Sequence, residues 1–108
     1  MKRIELLWFQ DCPNHPAARA MIDDVVSEFG VQADVRAIEV ADEAIAERLR
    51  FPGSPTIRVD GVDIEPGFAD CDDCTPRCRV YQTSAGLRGL PERSWLVAAL
   101  AGDGRKAG

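Results

Sequence analysis

Cysteine is the residue of this chain best suited to chemistry, and its four copies fall in two places. Cys12 stands in Asp11-Cys12-Pro13-Asn14-His15-Pro16, whereas Cys71, Cys74 and Cys78 share one eight-residue stretch. Ahead of Cys12, the apolar run Ile4, Leu6, Leu7, Trp8 and Phe9 suits a strand buried on both faces. Behind it, Pro13 and Pro16 fit a first helical turn, and Ala20, Met21, Val25 and Phe29 fall near a helical repeat. Cys12 is therefore expected where a strand ends and a helix begins. Unpaired N–H groups and the positive end of the helix dipole favour a thiolate there. This context predicts a partly exposed, functional thiol rather than a small buried hydrophobe. His15, three residues on, would face Cys12 across one turn and stabilise the thiolate when protonated. The alternative is a surface histidine that caps the local turn.

The second group, Cys71-Asp72-Asp73-Cys74-Thr75-Pro76-Arg77-Cys78, has the spacing C-x2-C-x3-C. Three thiolates so close would wrap a soft metal, and zinc's tetrahedral preference would be completed by Cys12 or His15 if the loop folds back. The same spacing suits a Cys71–Cys74 redox pair, and both readings stand at this point. No cofactor is demanded by the residues; zinc or another soft metal is the candidate. The chain has no Gly-rich phosphate loop, no Ser/His/Asp signature and no HExxH motif.

The elements that must position these thiols follow from periodicity. With 108 residues the chain is one domain, expected to span 1–101, and the segment 102–108 is expected to be a disordered tail. A net charge of −5 argues against a nucleic-acid surface, and no apolar run is long enough for a membrane span or a signal peptide. The expected location is the cytoplasm, where cysteines are more often redox-active or metal-binding than structural. Gly30 reads as a C-cap, Asp34 to Val40 as a second strand, and Asp42 as the cap of a helix reaching Arg50. Thr56-Ile57-Arg58-Val59 alternates as a strand, Asp60-Gly61 signals a hairpin, and Val62-Asp63-Ile64 returns. From Phe68 to Pro91 the pattern weakens, with Val80 to Thr83 as a candidate extra strand; Pro91 then opens a last helix buried through Trp95, Leu96, Ala99 and Leu100. The order is βαβα followed by a hairpin and a helix, which predicts an α/β fold.

Cys12-Pro13 after the first strand and Ser54-Pro55-Thr56 before the third resemble the thioredoxin fold. The resemblance covers residues 1–66 and the last helix. It implies a central mixed four-stranded sheet with flanking helices, the Cys-bearing loop being an extra feature before the C-terminal helix. It also implies a cis Ser54–Pro55 bond beside Cys12, with Pro13, Ser54, Pro55 and Thr56 offering a binding surface to an extended thiol substrate. Leu7-Trp8-Phe9, Cys12-Pro13-Asn14-His15, Arg50-Phe51-Pro52-Gly53-Ser54-Pro55-Thr56, Val59-Asp60-Gly61 and Cys78-Arg79-Val80-Tyr81 resemble, more narrowly, small bacterial thioredoxin-family proteins often described as alkylmercury-lyase-like. That family's thiol positions fall on Cys12 and Cys78, and Cys71 and Cys74 look like additions.

A standard thioredoxin carries Cys-x-x-Cys at this turn, and here His15 stands in place of the second cysteine. Thiol–disulfide exchange needs a second thiol to resolve the mixed intermediate. The resemblance points to Cys78 for that role, with the loop folded over the Cys12 turn. Three classes of function follow. One is a thiol redox protein, an oxidoreductase acting on a disulfide or thiol substrate through Cys12, His15 and Cys78. Another is a soft-metal protein that binds or transfers zinc or mercury through Cys12, Cys71, Cys74 and Cys78. The third is a non-catalytic thioredoxin-like binding module.

Overall fold

The end of the first strand and the start of the third are paired at one end of a sheet, and this register builds the site. A computed structural model describes residues 1–68 and 70–101. The expected tail, 102–108, lies outside the described residues, as does the Gly102 stop of the last helix. The elements are β1 (Lys2–Trp8), α1 (His15–Phe29), β2 (Ala33–Glu39), α2 (Glu43–Leu49), β3 (Thr56–Val59), β4 (Val62–Asp63), β5 (Tyr81–Thr83), β6 (Gly86–Arg88) and α3 (Arg93–Ala101). The main sheet has the order β2-β1-β3-β4. Its central strand β1 runs parallel to β2 and antiparallel to β3, with Leu7 opposite Thr56. The result is a mixed α/β architecture with a four-stranded mixed sheet and three helices.

Alternation along β1 divides the core in two. Ile4 and Leu6 join Ala18, Ile22 and Val25 of α1 and Leu96 and Leu100 of α3, whereas Leu7 joins Val40, Ala46 and Phe51 beside α2. The buried stripe of α1 is Ala18, Ile22 and Val25 at i, i+4, i+7. Of the expected face, Val25 is buried and Met21 packs against the core, whereas Ala20 is exposed and Phe29, at the helix end, is 53% exposed. Gly30 takes the left-handed C-cap at φ 62°, as its type demands. The Asp42 side chain accepts the Ile45 N–H at 2.9 Å and caps α2, which ends one residue short of Arg50. Asp60 and Gly61, both at positive φ, turn β3 into β4.

Two details depart from the sequence expectations. The candidate strand at Val80–Thr83 pairs with β6, so the chain carries an additional two-stranded hairpin through Ser84-Ala85. The second strand lies one residue earlier than expected, although the Val40 N–H still reaches the Trp8 carbonyl at 2.8 Å. Among the described residues, no helix is long and apolar enough to cross a membrane.

Candidate functional site

Cys12 lies in the turn between β1 and α1, two residues before the Asn14 N-cap rather than within the first helical turn. Its N–H closes that turn on the Phe9 carbonyl at 2.9 Å. Because Leu7 and Thr56 are paired, the turn following β1 meets the residues preceding β3, and the Cys12 thiol donates to the Ser54 carbonyl at 3.4 Å. The Ser54–Pro55 bond is cis, the geometry that the resemblance implies. Cys12 is only 2% exposed, which overturns the expectation of a partly exposed thiol.

The Cys-bearing loop returns to this turn and pairs with it. Ser54 and Cys78 form a parallel bridge, in which the Ser54 N–H donates to the Arg77 carbonyl at 2.7 Å and the Arg79 N–H donates to the Ser54 carbonyl at 2.9 Å. Cys78 is thereby placed beside Cys12, and both thiols are free. Desolvation, the neighbouring Cys12 thiol and the Asp11 charge together hold the Cys78 pKa above the usual cysteine value. Ser54, Pro55 and Thr56 are buried, and both backbone hydrogen-bonding groups of Ser54 are taken by the chain's own 77–79 segment. They are therefore not an open surface for an extended substrate, as the resemblance implied. Pro13 is exposed at the rim.

The remaining sulfurs stand apart from this pair. Cys71 and Cys74 are both buried and joined in a disulfide, with Cα atoms 5.6 Å apart. The strand of loop bearing them is tied to α2's C-terminal end: Arg50 donates to the Cys71 carbonyl at 2.8 Å and pairs with Asp70 at 3.2 Å. Cys71, Cys74 and Cys78 are thus not brought together as a ligand set, and no group of three or more metal-ligating side chains is assembled among the described residues. The His15 ring stacks on Trp8 with centroids 4.3 Å apart and planes at 26°. That contact packs one face of the imidazole against the last residue of β1.

What holds Cys78 in place is a cluster that sequence reasoning passed over. Arg79, the next residue, donates from Nη1 to Thr56 Oγ1 at 2.9 Å and to Asp63 Oδ2 at 2.8 Å. From Nη2 it donates to Asp63 Oδ1 at 3.2 Å and to Glu65 at 2.7 Å. The Arg79 and Asp63 side chains are 7% and 5% exposed. Burial works against the guanidinium charge, but the hydrogen bonds it donates to Asp63 and Glu65, together with the neighbouring charges, outweigh it, and the Arg79 pKa rises. The guanidinium also lies over the rings of Tyr81 at 4.3 Å and Phe68 at 5.0 Å. Tyr81 completes the anchor by donating its hydroxyl to the Pro55 carbonyl, and burial pushes its pKa up.

Gly53 makes the close approach of the two loops sterically feasible. It adopts φ 140°, and a Cβ there would lie 2.8 Å from the Arg79 Cβ. The sequence did hold a signal: Asp63 and Glu65 alternate on the return of the hairpin, and Arg79 stands in the quoted Cys78-Arg79-Val80-Tyr81 motif. One buried polar atom, Ser54 Oγ, has no partner among the described residues. No protein-family model, curated protein or solved structure matches this chain.

Proposed function

We propose that the chain is a thioredoxin-like thiol redox protein whose working dithiol is Cys12 with Cys78. The supporting observation is the Ser54–Cys78 bridge, which sets Cys78 beside the thiol that donates to the same Ser54. The mixed sheet, the cis Ser54–Pro55 bond and the Cys12 turn suit the thioredoxin-like reading. Cys78 supplies the second thiol that His15 removes from the usual motif. The reaction is a two-electron exchange: the dithiol becomes a Cys12–Cys78 disulfide, while a substrate disulfide takes up both thiol protons and leaves as two thiols. The soft-metal reading would require Cys71 and Cys74 as thiolates, which their disulfide denies in this form.

The test is equilibration of the protein in glutathione redox buffers, followed by acid quenching and peptide mass mapping. The expected result is a Cys12–Cys78 disulfide that grows as the buffer becomes more oxidising. If no redox ratio yields that disulfide, the dithiol reading is overturned.

A further inference from the structure

Two sulfurs of one pair differ sharply in access. Cys12 is 2% exposed, and its thiol is engaged with the Ser54 carbonyl. Cys78, on the other side of the Ser54 bridge, is exposed. Exchange requires the attacking sulfur to approach along the axis of the disulfide it breaks, so a substituted disulfide needs open space in front of that sulfur. The segment 77–79 occupies both hydrogen-bonding groups of Ser54, the surface across which an extended partner would reach Cys12.

Resting on the dithiol reading above, we propose that Cys78 is the sulfur that meets the external disulfide, and that Cys12 is the internal resolving thiol. This reverses the order suggested by the position of Cys12 at the helix-side turn. Cys78 thiolate attacks one sulfur of a disulfide RS–SR; the S–S bond breaks, one RS⁻ leaves, and a Cys78–SR mixed disulfide forms. Cys12 then attacks the Cys78 sulfur, the bond to SR breaks, and the second RS⁻ leaves. The two protein thiol protons end on the two RSH products. The chain is oxidised by two electrons and the substrate is reduced by two.

Protonation does not reverse this assignment. The environment of Cys78 reduces its thiolate fraction at neutral pH. A more basic thiolate is also a better nucleophile, with a Brønsted coefficient of about 0.4–0.5, so roughly half of that loss is recovered on the logarithmic scale. Access enters the rate directly. The preferred substrate is a disulfide small or protruding enough to reach the exposed Cys78 edge without displacing residues 77–79.

The experiment uses oxidised glutathione and the full chain. Wild-type protein is quenched with acid at short times, and the position of the glutathione adduct is mapped. Cys12→Ser and Cys78→Ser are followed in parallel by intact mass. The expected adduct is on Cys78, stable in Cys12→Ser, with Cys12 in Cys78→Ser modified at least about tenfold more slowly. An adduct found first on Cys12 in the wild-type chain, followed by the Cys12–Cys78 disulfide, overturns the order and leaves the dithiol reading standing. Adducts that never progress to that disulfide overturn the dithiol reading itself. The wild-type arm makes the test independent of whether either variant folds.

Discussion

Arg79 grips both carboxylate oxygens of Asp63, at 2.8 and 3.2 Å, with the two side chains almost wholly withdrawn from water. Such a pair gains specificity rather than much net stability, because desolvation offsets most of the attraction; removing one partner is costly because the other stays buried and charged. Arg79→Met leaves Asp63 and Glu65 facing each other without a cation, with Thr56 Oγ1 losing its donor. It is expected to lower unfolding free energy by about 3–5 kcal/mol. Urea unfolding checks this, and a loss below about 1 kcal/mol would put Arg79 in the class of ordinary surface pairs.

Titration of Cys78 carries a definite sign. Its pKa is raised in the folded chain, first by desolvation and then by Cys12 and Asp11. The native state therefore keeps this proton at pH values where the unfolded chain has lost it. The corresponding stability is present below the ordinary thiol pKa and declines as pH rises through the folded value. Alkylation of Cys78 by iodoacetamide is expected to have a midpoint above the free-cysteine value of about 8.5. In Asp11→Asn and Cys12→Ser the midpoint falls, but only in part, since desolvation remains. A wild-type midpoint at or below the free value contradicts this environment.

Gly53 tests the contact between the two loops. Gly53→Ala puts a Cβ against Arg79 at a φ that side-chain-bearing residues rarely adopt, so the 77–79 segment must withdraw from Ser54. The strain amounts to about 1–3 kcal/mol. The expected outcome is a lower urea midpoint together with faster alkylation of Cys12, measured in a Cys78→Ser background. Unchanged Cys12 reactivity would mean that residues 77–79 do not shield it.

Local chemistry was the legible part of this molecule. The alternation in Thr56-Ile57-Arg58-Val59, the Asp60-Gly61 turn and the Asp42 cap each depend on residues within four positions, and each stands where the sequence places it. The site depends on longer connections. Arg79 and Asp63 are 16 positions apart across an irregular loop that leaves no periodic trace. Cys12 is buried at a turn whose neighbour Ser54 pairs with a segment 65–67 positions later in the chain, a contact that composition around Cys12 does not encode. In α1 the buried row starts at Ala18 and Ile22 rather than at Ala20; Phe29 continues that row four residues past Val25, but it is the last residue of the helix and stays 53% exposed. His15 stands three residues from Cys12 in the sequence, but its stacking on Trp8 at the end of β1 joins residues seven apart across the turn and follows no local spacing rule.

The parallel bridge at Ser54 also makes the chain its own competitor. A tethered segment presents itself to its docking position at an effective concentration in the range of about millimolar even when the linker is flexible. Here the tether is stiffened by the Arg79 anchor, so an outside peptide that used the Ser54 N–H and carbonyl would first have to displace a strand that never diffuses away. A weakly binding extended peptide would lose that contest. Access to the Ser54 backbone would thus be set by what residues 77–79 already occupy as much as by any contact that a visitor makes.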